Sequence, residues 1–374
     1  MRSSISIFLA VLLLANCTGK TTTVPPSDAK KAESEQLADN ANKTESKQIA
    51  DPLILGGKPY VDFDGKAYRR NEAELFTSLI CDFNLDSAVR WHSLEGIEQL
   101  VNLKGISIYG ENLDTVDFTP LSSLYNLEEL FIRGNITRLP DLTRLEHLIT
   151  ISIYNANYFS GLVSFEGIGA PNVRRINILN FGEGIDSLAP LNNLPYLEEL
   201  KINGDGSTML RIADMSNLPS LKELVLLMES TQIDLQGIEN LSALEELNNS
   251  GAKSFNIEGI GKLKNLRKLG LKLISPEPSL EFLRNMPNLT DLGLSSEKYE
   301  PDQVLDVSPL ATLKNLQALG CINFIIKNIS ALDVLDALSI QDDESPGYIY
   351  LAGCRFYDEK EKSRHPLVLE YPVK

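Results

Sequence analysis

Three histidines, four cysteines and two short acidic stretches are the residues of this chain most able to do chemistry. His92, His147 and His365 lie far apart, and none has a nucleophile or carboxylate at a telling spacing. No G-x-S-x-G elbow, phosphate-binding loop or H-E-x-x-H pair occurs. Asn203-Gly-Asp205-Gly-Ser207 begins like a calcium loop, but Thr208 stands where the sixth position needs glycine. Asp62-Phe-Asp64-Gly65 fits a turn better than an ion site. Cys81, Cys321 and Cys354 form no C-x-x-C and no cluster with histidine, so no zinc site is predicted. The chain is expected to bind rather than catalyse, with no catalytic residue, no metal and no cofactor. The residues left with binding chemistry are Tyr109, Phe131, Arg133 and Tyr154, extended by Leu179, Val225 and Leu227. Exposed aromatics beside an arginine have the character of an interface hot spot.

Such residues need a scaffold that repeats. In LSSLYNLEELFIRGN, residues 121–135, apolar residues fall at Leu121, Leu124, Leu127, Leu130 and Ile132, with Asn135 three further on. Neither a helical period nor strict alternation produces that spacing. It is one coil of a leucine-rich repeat: turn-like steps, a short strand L-x-x-L-x-L, then a residue that turns the chain. The template recurs with last strand positions at Ile108, Ile132, Ile153, Ile178, Ile202, Leu226, Asn249, Leu271, Leu294, Cys321 and Ile340, about 11 coils with a step of about 23 residues. Asn249 is a polar intruder at a core position, and Cys321 replaces a core aliphatic. The turn asparagine is missing from most coils, which predicts individually built turns. Short coils leave room only for single turns or 3₁₀ pieces on the outer side. Strands ~4.8 Å apart predict a parallel sheet roughly 50 Å long.

The pieces LPYLEELKI (194–202), LKNLRKLGL (263–271), MPNLTDLGL (286–294) and VSPLATLKNLQAL (307–319) resemble the short repeats of bacterial internalins and of their eukaryotic phosphatase-regulator relatives. The resemblance covers about residues 93–341. It implies an α/β leucine-rich-repeat solenoid with a curved parallel sheet on its concave face, and a protein ligand on that face. In such a sheet the residues between the core leucines point outward. One column then holds Phe131 and Val225, and the next holds Tyr109, Arg133, Tyr154, Leu179 and Leu227. Gly270, Gly293 and Gly320 leave a bare strip in the first column.

A solenoid end exposes apolar rungs and must be covered. Residues 51–92 are assigned to an N-terminal cap. Within it, 61–70 predicts a hairpin, and 71–83 predicts a helix with Leu75, Leu79 and Phe83 on one face. Residues 342–374 are assigned to a C-terminal cap, a hairpin of strand-like 348–351 and 367–371. Cys81 and Cys354 then sit at opposite ends and cannot pair; a Cys321–Cys354 bridge stays open.

The chain opens with Arg2 and an apolar run at 5–14, too short to span a bilayer, which predicts a signal peptide over residues 1–16. Leu14-Ala15-Asn16-Cys17 resembles the lipobox of bacterial lipoproteins, although Asn16 departs from the small residue usual there. The resemblance implies lipid attachment at Cys17, and Thr18 in place of aspartate implies the outer membrane, at its surface or periplasmic face. Residues 17–50 have few bulky apolar side chains and are expected to be a disordered tether. The formal net charge is −16; residues 1–50 hold six basic and five acidic residues, which leaves −17 on the remainder. That balance argues against nucleic acid as a partner. The expected protein is a monomeric, membrane-tethered, adhesin- or receptor-like binding module. The alternative is a structural scaffold for envelope assembly in the periplasm.

Overall fold

The computed structural model describes residues 51–358, apart from 63–64, 85–90, 156–161, 163, 181–184, 186, 205–208, 229–230, 297–301 and 336–347. The expected signal peptide over 1–16, Cys17, the expected tether over 17–50, His365 and 367–371 lie outside the described residues, as do Leu338 and Ile340 of the eleventh coil. The fold belongs to a compact unit, Leu53–Lys374.

Each coil places its leucines inward, and together they make one contiguous core in which Leu121, Leu127 and Ile132 are fully buried. The strands of successive coils pair in parallel and in register: Ile106, Leu130, Ile151, Ile176 and Leu200 form one rung series, and Ile108, Ile132, Ile153, Ile178 and Ile202 the next. The sheet has fourteen strands among the described residues. The outer side carries short 3₁₀ segments such as Ile97–Gln99, Thr119–Ser123 and Ser308–Thr312. Coils of this length close with a single tight turn, because a longer helix would outgrow the step.

The backbone links each coil to the next at the strand entrance. The amides of Glu128 and Glu129 both donate to Lys104 O, those of Ile149 and Thr150 to Glu128 O, and those of Arg174 and Arg175 to Ile149 O. Asparagine adds a second link. Nδ2 of Asn102, Asn126, Asn172, Asn265, Asn288 and Asn315 donates to Glu74 O, Val101 O, Glu146 O, Ser242 O, Lys264 O and Pro287 O, at 2.7 to 3.1 Å. These are the asparagines of the recurring Asn-Leu or Asn-Val pair, and each satisfies a carbonyl of the preceding coil. Asn288→Ala is expected to cost about 1 kcal/mol in a urea titration.

Three segments depart from the sequence expectation. Residues 71–83 are not one helix. A 3₁₀ turn, Arg70–Leu75, leads into the strand Ser78–Asp82, which pairs with Gly105–Gly110 and puts Leu79 and Cys81 inward beside Ile106 and Ile108. Leu75, expected on a buried helix face, is 70% exposed. Docking on an open sheet edge pairs the sheet-facing half of the 78–82 backbone and buries two side chains, which outweighs the weak helical period. At the other end, Tyr348–Ala352 pairs in parallel with Ala318–Ile322, placing Leu351 beside Cys321. It is therefore a rung of the sheet; residues 367–371, the other arm of the expected hairpin, lie outside the described residues. Arg355–Phe356 joins a separate parallel sheet with Ile325–Lys327 and Val304–Asp306. The third departure is at Asn249, which is fully buried. Its Nδ2 donates to Ser254 Oγ at 3.0 Å, and its Oδ1 has no partner among the described residues. The register breaks between Asn249 and Lys253, and the strand Glu246–Phe255 continues outward to pair with Gln232–Asp234. A polar residue at a core rung is accommodated by a bulge. Lys253, rather than Ser250, then stands beside Lys272.

The predicted 61–70 hairpin closes through Asp62: its amide donates to Lys66 O, and its side chain accepts from Lys66 N and Tyr68 Oη, each at 2.9 Å. Cys81, Cys321 and Cys354 are free thiols, and Cys354 Sγ donates to Cys321 O at 3.3 Å. Burial pushes the Cys81 and Cys321 thiols well above their usual range and that of Cys354 to about 11. Thiolate is the reactive form. At pH 8 the native chain is therefore expected to leave all three unmodified by iodoacetamide over an hour, and denaturant to expose them, as read by mass spectrometry.

Candidate functional site

Strands Gly105–Gly110, Glu129–Gly134, Thr150–Asn155 and Arg175–Asn180 build the site. Their alternation turns every second side chain out of the core. Tyr109, Arg133, Tyr154 and Leu179 are in register across the four strands, and Phe131 lies two residues back on the same face, between Ser107 and Ser152. Diagonal offset brings the three rings together. The Tyr109 and Phe131 centroids are 5.6 Å apart at 43°, and those of Phe131 and Tyr154 are 5.3 Å apart at 32°. The rings touch in tilted pairs and are each half-buried, a contact worth ~0.5–1.5 kcal/mol per pair.

Arg133 is exposed and in register between the two tyrosines, with no hydrogen bond or ion pair among the described residues. Elsewhere on the sheet the cations are engaged: Lys201 Nζ lies 2.8 Å from Glu223 and 3.9 Å from Glu199, and Lys268 Nζ 3.2 Å from Glu246. Arg133 is thus a charge on the sheet face still able to meet a partner's carboxylate.

The structure brings together Tyr109, Phe131, Arg133, Tyr154 and Leu179. It separates Val225 and Leu227 from them by the strand Glu199–Gly204, whose Lys201 and Asn203 intervene. Val225, expected to be exposed, is 3% exposed and buried outside the contiguous core, on the sheet face between Lys201 and Asn248. The ion-paired Lys201 side chain, itself only 15% exposed, keeps solvent away there, so Val225 is unavailable to a ligand. Leu227 remains half-buried beside Asn203. The sequence reading missed Ile80, which is 49% exposed and stands beside Ser107 in the Phe131 column. The signal was present: Leu79-Ile80-Cys81 matches the L-x-L core of the repeat strand, with cysteine as the second apolar residue. Of the predicted glycine strip, Gly270, Gly293 and Gly320 stand in register, but Gly270 and Gly320 are buried. A side chain at Gly270 would collide with Asn248 Oδ1 at 2.7 Å, so the glycine relieves crowding.

Away from the sheet face, a groove of about 820 Å³ lies between the return segments of two coils, floored by Leu113, Val116, Phe118 and Leu139 and rimmed by Arg138 and Arg144. Its acids are already committed. Asp117 is held below the usual carboxylate range by hydrogen bonds from Thr119, and Asp141 by those from Thr143. Such carboxylates are poor proton donors near neutral pH. His92 and His147 are exposed, and neither lines the groove. No group of three metal-ligating side chains occurs among the described residues.

No family model and no curated protein matches the chain. Among solved structures it is similar to an internalin, InlF, from Listeria monocytogenes, with 18% identity over 83% of this chain and 90% of that one and a TM-score of 0.59. It also aligns with a leucine-rich repeat protein of Leptospira interrogans (18% identity, 84% of this chain and 99% of that one, TM-score 0.38). A third alignment is to the plant peptide hormone receptor RGFR1 in complex with RGF2 (18% identity, 80% and 56%, TM-score 0.45). The internalin likeness is one of fold: the chain is a leucine-rich-repeat solenoid whose parallel sheet lines the concave face.

Proposed function

We propose that this solenoid is a non-catalytic binding module that recognises a protein through its concave face. The observation that carries the reading is the ring ladder Tyr109–Phe131–Tyr154 with Arg133, unpaired among the described residues, set between the tyrosines. Aromatic anchors beside an arginine are the composition of interface hot spots. The exposed Arg133 among these rings favours a peptide or protein surface bearing a carboxylate.

The proposal includes the compartment. A signal peptide over 1–16, a lipid on Cys17 and a spacer over 17–50 would hold the module at the outer membrane as a monomer. The test has two arms. The full-length lipidated chain is used to capture proteins from envelope extract and from extracellular-matrix preparations, and a partner is expected that competes with carboxylate-rich peptides. Protease treatment of intact cells is expected to remove the protein from the surface. Survival of the protein in intact cells would move it to the periplasmic side. A partner that binds equally well to Arg133→Ala would detach the proposal from the ladder.

A further inference from the structure

The first strand of the sheet, Ser78–Asp82, has one neighbour among the described residues, Gly105–Gly110. Its backbone therefore faces two ways. Thr77 O accepts from the amides of Lys104 and Gly105, and the Phe83 amide donates to Tyr109 O, so odd-numbered residues face the sheet. Parallel pairing alternates, so Ser78, Ile80 and Asp82 point their amides and carbonyls away from it. Asp82 O accepts from the Trp91 amide at 3.0 Å, which closes that end of the edge. The amide and carbonyl of Ser78 and of Ile80, and the amide of Asp82, have no partner among the described residues. Ser78 is exposed, and the Ile80 side chain is 49% exposed.

Sheet edges of natural proteins are usually blunted by lysine, proline, a bulge or a covering element. The sequence Ser78-Leu79-Ile80-Cys81-Asp82 carries none of the first three, and its register with the next strand is unbroken. A row of alternating donors and acceptors fits one kind of ligand, an extended backbone that adds as a further strand. Its alternate side chains would fall beside Ile80, on the same face as the aromatic ladder. The only charge on the strand is Asp82, and residues 51–374 carry −17, so two copies of this chain repel one another while a cationic segment is attracted.

We infer that the outward edge of Ser78–Asp82 is a docking edge for a short, extended, cationic segment of a protein partner, added to the sheet by backbone hydrogen bonding. This contact is on the sheet edge rather than its face, and it does not depend on the ladder.

The test uses the full chain and a fluorescent octapeptide of alternating lysine and valine. Two control peptides accompany it, one with every backbone amide N-methylated and one with glutamate in place of lysine. Saturable binding of the lysine peptide is expected by fluorescence anisotropy, with at least tenfold weaker binding of both controls. Amide exchange at Ser78, Ile80 and Asp82 is expected to be fast in the free chain and to slow at least tenfold with the peptide. Ile80→Pro removes an outward amide without touching the pairs to Gly105–Gly110, and edge strands tolerate such a proline. It is expected to weaken peptide binding at least tenfold while the circular dichroism spectrum stays unchanged. Unchanged exchange at the three amides, equal binding by the N-methylated peptide, or full binding by a folded Ile80→Pro would overturn the inference. Equal binding of the glutamate peptide would overturn its charge. A dimer in sedimentation velocity that Ile80→Pro dissolves would overturn the occupant in favour of a second copy. Should Ile80→Pro not fold, the exchange result on the unaltered chain decides.

Discussion

Leu127→Asp is expected to unfold the coils around it, whereas Tyr125→Asp, two residues away, is expected to leave stability within ~0.5 kcal/mol of the parent. Both changes install the same carboxylate in the same coil. Leu127 is fully buried in the contiguous core, and Tyr125 is 59% exposed. Emptying a buried leucine site costs ~2–5 kcal/mol. An unpaired carboxylate or its neutral acid in that space adds several more. The total approaches the ~5–15 kcal/mol that holds an ordinary domain together. Each coil contacts mainly its neighbours, so the damage should spread outward from the second coil. A thermal melt followed by circular dichroism should show a fall of more than ~10 °C for Leu127→Asp. A melt within a degree or two of the parent would mean that the repeat register is misplaced.

The combined change Tyr109→Ala, Phe131→Ala and Tyr154→Ala is expected to weaken partner binding by at least ~100-fold, about 2.7 kcal/mol. Hot-spot aromatics lose ~2 kcal/mol or more each on truncation, and three adjacent ones share one contact. The variant also loses two ring contacts, so stability should fall by ~1–3 kcal/mol, far less than for Leu127→Asp. Tyr109→Phe separates the two effects. It keeps the ring contact and removes only a hydroxyl, so it should melt like the parent and lose at most tenfold in binding. A triple alanine chain that binds with parental affinity would move the partner to the groove between Phe118 and Leu139 or to the edge strand.

The candidate site was partly legible in the sequence. Tyr109, Phe131, Arg133 and Tyr154 could be placed on one face because the strand template determines which residues point outward. The mutual lean of their rings could not, because it depends on the diagonal offset between strands. Val225 obeyed the template and still proved buried, since its exposure depends on how Lys201 reaches to Glu223 across the next strand. Ile80 escaped notice because Leu75, Leu79 and Phe83 mimic a helical stripe.

The sequence by itself determined the coils: a buried leucine at each step, a strand at L-x-x-L-x-L and a 3₁₀ return follow from spacing within some twenty-odd residues, and each coil carries its own copy of that information. It also carried the Asn-Leu habit, although not the purpose of the asparagines, each of which bonds a carbonyl one coil away. Tertiary structure alone decided the ends and the exceptions. Residues 78–82 and 348–352 are strands because an open rung lay beside them, and Asn249 is tolerated because the chain bulges into a second run of strands. A central coil has two neighbours that both repeat its pattern, so local spacing suffices. An end coil has a single repeating neighbour, and its conformation follows from what it docks against.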